Sequence, residues 1–411
     1  MVGLGKGKVW AISAAAVFSL VLLTGMMLPA MNVSAQNTEE MDSATRVALN
    51  KKYLSEAREA WLQKTDEAEK ITQYEDQKKD AVSEADRLAL DAKIQESLAK
   101  IEQLSAQIQA LEELNKKLYV MDPDLRSRLF AASNLLYNKY VNQSSTSYIG
   151  ENPVEDVSPL LLTRTLEILV NPEKLAVDKS NLPEETEVDG FPVTIEYGTL
   201  QETSCVSGRQ SECRPLVAGI SVADQSLAPD LNTMGYKAVR NGYVGFVIAG
   251  HTSTGVLANI VQPHNDSTKT VGVVVVDDPN VLDAAFVKAN PGITVTDDIC
   301  AGTTSCSTYY DAVSKRPDSQ QTEGTFIIKA GASGGSDLGE VSVNYPDRNN
   351  IKAYVCGWAG GDSGSTIFHE SGGSGADIFG MMHLASPTTC YVYYYPQDII
   401  YSKIGANPAL S

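Results

Sequence analysis

A long stretch without glycine or proline dominates the N-terminal part of this sequence. Residues 36–121 contain neither residue type and are rich in Ala, Glu, Lys, Gln and Leu. This composition favours helix, because none of these side chains restricts or breaks the helical backbone. The stretch ends at Met121-Asp-Pro-Asp124, since Pro123 cannot donate the next backbone hydrogen bond of a helix. The sequence therefore predicts long helix between residues 36 and 121.

Apolar residues recur along the second half of this stretch at alternating spacings of three and four. They are Leu90, Ile94, Ile101, Leu104, Ile108, Leu111 and Leu118, with Ser97 and Asn115 as polar interruptions. This spacing is typical of a coiled coil. It could form between chains, which predicts self-association, or within one chain as a hairpin that bends near residues 76–84. A helix packed on its own domain is the third alternative.

The composition changes twice after the helical stretch. Residues 122–199 combine an amphipathic helix, Arg126 to Val141, with two strands, Thr165 to Val170 and Phe191 to Tyr197. This pattern predicts a small α+β module, which could be a linker domain or a pro-region that covers the next domain. Residues 200–411 consist of short β segments separated by Gly, Asn, Asp and Ser, as in all-β barrels and sandwiches. The predicted fold is therefore multi-domain.

The N-terminus has the features of a targeting segment. Lys6 and Lys8 precede an apolar stretch from about Val9 to Met31, and Val33-Ser-Ala35 fits a cleavage site. Residues 1–35 are thus predicted to be a signal peptide. The apolar stretch is also close to the length that spans a bilayer, so an uncleaved membrane anchor is the alternative. In both cases the rest of the chain would be exported, either secreted or held at the cell surface.

All six cysteines lie after residue 200, in the segment predicted to be exported. An even number of cysteines in an exported chain indicates disulfides. Many pairings are possible, and the simplest joins neighbours along the chain. These neighbours are Cys205 with Cys213, Cys300 with Cys306, and Cys356 with Cys390.

Charge and ligand patterns exclude several classes of partner. The net charge of −18 argues against a nucleic-acid backbone as a partner. No Cys-x-x-Cys pair or histidine cluster indicates a metal site, and no motif implies a cofactor. A membrane is a partner only if the N-terminal segment stays uncleaved.

Two short motifs place a hydroxyl and an imidazole at the ends of predicted strands. Gly361-Asp-Ser-Gly-Ser365 sets Ser363 between glycines, which can adopt the backbone conformations of a tight turn. Gly245-Phe-Val-Ile-Ala-Gly-His251 is an apolar strand that ends in one of only four histidines. A serine hydroxyl is a weak nucleophile and needs such a base within hydrogen-bond reach.

A carboxylate that could orient this histidine stands before another apolar strand. Asp283 directly precedes Ala284-Ala-Phe-Val287. Its competitors, Asp277 and Asp278, precede Pro279 and have the pattern of turn formers. Asp283 is therefore the preferred candidate.

In these motifs the sequence resembles the chymotrypsin-like serine proteases, especially the secreted bacterial streptogrisin and α-lytic protease type. The matching segments are Ala249-Gly-His251, Asp283-Ala-Ala-Phe-Val287 and Gly361-Asp-Ser-Gly364, in that order along the chain. The resemblance covers roughly residues 200–411 and implies a double β-barrel of chymotrypsin type. It also implies the catalytic roles: His251 as general base, Asp283 as its orienting carboxylate and Ser363 as nucleophile. The backbone N–H groups of Gly361 and Ser363 would form the oxyanion hole.

The resemblance further implies a disulfide and a substrate pocket beside the nucleophile. It supports the pairing of Cys356 with Cys390 and places the pocket between residues 357–360 and the strand at residues 380–386. The pocket candidates are Gly357, Met382, His383 and Leu384. His383 lies near where Glu-specific relatives place a pocket histidine, and an imidazole could bind a carboxylate side chain. A histidine in the core, or an apolar pocket formed by Met382 and Leu384, is the alternative.

Three positions near the predicted site differ from the family or lack an identified partner. Thr252 stands where the family often has a cysteine after the histidine, and Ser365 replaces a glycine. Asp362 precedes the nucleophile; animal relatives pair this carboxylate with a freed N-terminus and bacterial relatives with an internal arginine. The sequence does not identify its partner here.

The sequence therefore predicts an exported serine endopeptidase that cleaves protein or peptide substrates through an acyl-enzyme intermediate. The alternative is a catalytically inactive, protease-like head on a coiled-coil assembly or binding protein.

Overall fold

The computed structural model describes a helical N-terminal part followed by three β-sheets. The described residues are 41–141, 154–170, 186–197, 209–278, 281–303, 306, 309–372, 374–386 and 389–410. The helices are α1 (Ser43–Asp80), α2 (Glu84–Leu118), α3 (Pro123–Tyr140) and α4 (Gln397–Ile404). No helix in these ranges is both long and apolar enough to cross a membrane. The predicted targeting segment, residues 1–35, lies outside the described residues.

The two long helices form a hairpin. Each begins at a side-chain cap: Asp42 accepts the N–H of Thr45, and Ser83 accepts the N–H of Asp86, which satisfies backbone donors that lack a partner within the helix. The bend falls at residues 81–83, inside the range predicted for the hairpin alternative.

The apolar seam of α2 is covered within this single chain. Its buried members are Ile94, Ile101, Leu104, Ile108, Leu111 and Leu118. One cluster joins Ile71 of α1 to Ile94 and Ile101 of α2. Association between chains through this seam would first require α2 to separate from its neighbours, so the predicted self-association gains no support from the hairpin.

The strands divide into a small sheet and two large ones. The small sheet holds β1 (Val154–Leu160), β2 (Thr165–Val170), β3 (Glu187–Val188) and β4 (Phe191–Tyr197). The other strands are β5 (Leu216–Ala218), β6 (Ser221–Asp224), β7 (Asn232–Thr233), β8 (Lys237–Arg240), β9 (Tyr243–Ile248), β10 (Asn259–Val261), β11 (Thr270–Asp278), β12 (Leu282–Ala289), β13 (Val295–Cys300), β14 (Tyr309–Lys315), β15 (Phe326–Gly331), β16 (Gly335–Tyr345), β17 (Asn350–Tyr354), β18 (Thr366–Gly372), β19 (Gly375–Ala385), β20 (Tyr391–Pro396) and β21 (Asn407–Pro408).

The first large sheet, here the first barrel, has the order β21-β8-β9-β12-β11-β10-β6-β7. Apolar residues of β6, β9, β10, β11 and β12 converge on one core that includes Phe246, Ile248, Val274 and Val287. Because strands along the whole sheet contribute to one core, the sheet is curled around it. The apolar segment from Val217 to Val222 is split at Gly219, where φ is +88°, so that β5 joins the other large sheet.

The second large sheet contains a closed barrel. Its order is β18-β15-β16-β17-β20-β19-β14-β13-β5, and an additional pairing of β18 with β19 closes the six strands from β18 to β19 into a ring. Buried residues such as Ile327, Val341, Ile367, Phe379 and Val392 fill this ring. Two barrels behind a helical region confirm the predicted fold class.

The N-terminal elements pack on the closed barrel and form one compact unit with it, Asp42–Ser411. The buried Lys352 of β17 donates to Glu167 of β2 at 2.7 Å. The buried carboxylate of Glu340 on β16 accepts from Asn50 of α1 (2.8 Å) and from Asn115 of α2. Asn115, a polar interruption of the seam, thus binds the barrel. The predicted boundaries at residues 121 and 199 remain predictions.

Two of the predicted disulfides are present. Cys300 is bonded to Cys306, and Cys356 is bonded to Cys390. Cys213 forms no disulfide with another described cysteine. Cys205 lies outside the described residues, so the third pairing stays a prediction.

Candidate active site

His251 lies at the end of strand β9, in the short 3-10 helix Gly250–Thr252. Gly250 allows a close approach there, because an added Cβ would lie 3.0 Å from Oδ1 of both Asp277 and Asp283. The backbone N–H of His251 donates to Oδ1 of Asp283 at 2.7 Å. The close approach of the two segments therefore fixes the histidine backbone as well as its side chain.

Asp283 reaches the histidine because β12, in which it is the second residue, pairs with β9 in antiparallel register. Its Oδ2 atom lies 2.7 Å from Nδ1 of His251. Asp277, the competing carboxylate, instead accepts the hydroxyl of Ser253 at 2.8 Å. Asp283, the preferred candidate, thus contacts the histidine ring directly.

Ser363 lies on a tight turn of the closed barrel, between Gly361 (φ +91°) and Gly364 (φ +94°). Both glycines are also required by space: an added Cβ would lie 2.2 Å from the Leu231 side chain at Gly361 and 2.1 Å from the Thr233 carbonyl at Gly364. The turn is held from the other barrel, since the N–H of Thr233 donates to the carbonyl of Ser363 at 2.9 Å.

The three predicted residues form one chain of contacts across the two barrels. Nε2 of His251 lies 3.1 Å from Oγ of Ser363, while its Nδ1 faces Asp283. With Nδ1 protonated, Nε2 can accept the serine proton. The arrangement can therefore activate a hydroxyl as a nucleophile.

The carboxylate of Asp362 is fully buried beside the nucleophile, and its partner is Lys329 of β15. The Lys329 ammonium, also fully buried, donates to Oδ2 of Asp362. Oδ1 accepts the backbone N–H groups of Ser333 and Gly334, each at 3.0 Å. Sequence reasoning left this partner unidentified, although a single lysine inside the otherwise apolar strand Phe326–Gly331 was a usable signal.

Two of the four pocket candidates are buried in the protein. Met382 belongs to the core of the closed barrel, and its assignment to the pocket stays a prediction. Gly357 and Leu384 are partly exposed and also remain pocket candidates. Residues 357–360, called the pocket wall below, connect the Cys356–Cys390 disulfide to the turn that carries Ser363.

His383 lies beside the aspartate of the site. Its side chain is buried, its ring stacks on Tyr395 at 3.9 Å, and its Nδ1 lies 3.7 Å from Oδ2 of Asp283. Of the two alternatives stated for His383, this position agrees with the core histidine. Its role as a substrate-binding residue stays a prediction.

The charges of the site follow from these contacts. Burial alone would raise the pKa of Asp283, but the hydrogen bond from His251 and the neighbouring His383 imidazole bring it well below its usual value. Burial lowers the pKa of His383 despite the attraction of Asp283. At neutral pH, Asp283 is an anion and His383 is neutral.

No protein-family model and no curated protein sequence matches this chain. Among solved structures, it is similar to a Nocardiopsis protease, with 20% identity over 47% of this chain and 97% of the other, at a TM-score of 0.37. A glutamic acid-specific serine protease matches with 22% identity over 47% of this chain and 100% of the other, at a TM-score of 0.37. Thermobifida fusca protease A matches with 16% identity over 48% and 99%, at a TM-score of 0.38. Likeness of this degree does not establish a shared activity.

Proposed function

We propose that this chain is an exported serine endopeptidase in which Ser363, His251 and Asp283 form the catalytic triad. The observation that carries the proposal is the contact chain from Asp283 through His251 to Ser363, with distances of 2.7 Å and 3.1 Å. Two barrels each contribute part of this chain, so the arrangement depends on the whole fold and not on one local motif.

The mechanism assigns one role to each member of the triad. His251 removes the proton of Ser363 as the hydroxyl oxygen attacks the scissile carbonyl carbon, and the carbonyl oxygen becomes an oxyanion. The backbone N–H groups of Gly361 and Ser363 stabilise that oxyanion. His251 then protonates the leaving amine, and water hydrolyses the acyl-enzyme by the reverse sequence of proton transfers.

Asp283 stabilises the imidazolium that forms on His251 during both steps. Its depressed pKa supports this role, because the carboxylate stays charged throughout the neutral range. Its contact with the His251 backbone N–H at 2.7 Å also holds the ring in position.

The buried pair of Lys329 and Asp362 supports an active conformation that forms without cleavage of the chain. A carboxylate in this position needs a cation, and Lys329 supplies it from within the barrel. Formation of this ion pair therefore needs no freed N-terminus, and the pro-region alternative for residues 122–199 stays a prediction.

Hydrolysis of fluorescein-labelled casein by the full chain tests the proposal. We expect wild type to release peptides and Ser363→Ala to release none above background. Ser371→Ala is the matched control, because it removes an exposed hydroxyl from the same barrel. Equal activity of wild type and Ser363→Ala would overturn the proposal, and the absence of activity in both would favour the binding-protein alternative.

A further inference from the structure

Two buried carboxylates hold the backbone of the pocket wall, one at Gly357 and the other at Ala359. Oδ2 of Asp337 accepts the N–H of Gly357 at 2.7 Å. Oδ2 of Asp362 accepts the N–H of Ala359 at 3.0 Å. The backbone of the pocket wall is therefore positioned by two side chains from outside it.

Each of these carboxylates is bound by one cation, but the cations come from different parts of the chain. Asp362 is bound by Lys329, which lies in the same barrel. Asp337 is bound by Arg58 of α1, whose Nε donates to Oδ1 at 2.7 Å. Asp337 is only 4% exposed, so Arg58 is its link to the helical hairpin.

The contact between Asp337 and the pocket wall is close enough to transmit a displacement. A Cβ added at Gly357 would lie 2.5 Å from Oδ2 and 2.6 Å from Cβ of Asp337. The carboxylate thus packs directly on the Gly357 backbone. Movement of Asp337 must move Gly357 or break their hydrogen bond.

We propose that Arg58 is a positioning residue for substrate recognition: it fixes Asp337, and through Asp337 it fixes the pocket wall. The helical hairpin is then part of the recognition apparatus for the peptide substrate. This inference rests on the proposed function, since it concerns the pocket of that same site.

Steady-state kinetics of full-length Arg58→Ala test the inference, with the peptide p-nitroanilide that wild type cleaves fastest. We expect KM to rise about tenfold, which equals about 1.4 kcal/mol, with a smaller change in kcat. Arg58→Lys keeps the charge but not the planar donor, so its KM should lie between the KM of wild type and that of Arg58→Ala. Lys52→Ala is the matched control, because Lys52 is an exposed cation of α1 that pairs within its own helix.

A double-mutant cycle separates positioning from a general loss of stability. If Arg58 acts through Asp337, the Arg58→Ala change should leave KM nearly unaltered in an Asp337→Asn background. Independent effects of the two changes on KM, a loss confined to kcat, or wild-type kinetics of Arg58→Ala would each overturn the inference. Failure of the proposed function is distinguishable, because wild type itself would then not cleave the peptide.

Discussion

The two barrels contribute differently to the candidate site. The first barrel supplies His251 and Asp283, the histidine and carboxylate of the proposed triad. The closed barrel supplies Ser363 and the pocket wall. The contacts of the N-terminal elements described above all end on this second barrel, at Asp337, Glu340 and Lys352.

This difference indicates that the two barrels hold their parts of the candidate site by different interactions. The first barrel relies on its own strand pairing to bring β9 and β12 together. The closed barrel also depends on buried charges, both within itself and toward the N-terminal elements. We therefore expect changes in the first barrel to affect chemistry most, and changes in the closed barrel to affect chemistry and stability together.

The largest effect should come from the proton-transfer half of the site. Asp283→Asn should lower kcat by about 10⁴-fold, since a neutral amide neither stabilises the imidazolium nor fixes its tautomer. Casein or peptide turnover measures this loss. In urea unfolding, Asp283→Asn should lose less stability than Lys329→Met, the variant of the closed barrel described next. A decrease in kcat of less than about tenfold would contradict the expectation that changes in the first barrel affect the chemistry most.

The second effect concerns the closed barrel. Lys329→Met should lower the free energy of unfolding by about 3–5 kcal/mol, because it leaves the buried Asp362 carboxylate without its cation. Activity should fall with it. Urea unfolding followed by circular dichroism measures the loss, and the double variant Lys329→Met/Asp362→Asn should recover part of it. Wild-type stability of Lys329→Met would show that the buried pair is not needed.

The smallest expected effect concerns His369, which lies where the helical hairpin contacts the closed barrel. His369 of β18 lies 3.1 Å from Glu112 of α2 and 3.8 Å from Asp377. Burial disfavours its charge, but the nearby Asp377 carboxylate and the hydrogen bond with Glu112 raise its pKa overall. A raised folded-state pKa contributes stability that is complete below the usual value and is lost as pH rises through the raised value.

His369→Gln should therefore lower the free energy of unfolding by about 1–2 kcal/mol at about pH 5 and by much less at about pH 9. Glu112 and Asp377 stay ionised across this range, because interactions with His369 lower the pKa of both. Urea unfolding at the two pH values measures the difference. A loss that is equal at both, or larger at high pH, would contradict the assignment of charge to His369.

Much of the fold could be predicted from local patterns. The strands Thr165–Val170 and Phe191–Tyr197 begin and end where their sequence patterns place them. The glycines around Ser363 also gave a reliable local signal, because a tight turn requires them. These features depend on near neighbours in sequence.

Contacts between distant segments could not be predicted in the same way. Arg58 and Asp337 are separated by 279 residues, and no local pattern marks either residue. Asn115 was visible as a polar interruption, but its partner Glu340 was not. His383 was predicted at the pocket because sequence alone does not tell which face of β19 packs against Asp283.

The most direct test of the central claim is covalent labelling of the full chain with a fluorophosphonate, read by intact mass. The probe reacts with a serine only where a base activates the hydroxyl. The account predicts a single adduct on wild type, which peptide mapping locates on Ser363, and no adduct on Ser363→Ala. An adduct that persists in Ser363→Ala, or the absence of any adduct on folded wild type, would contradict it.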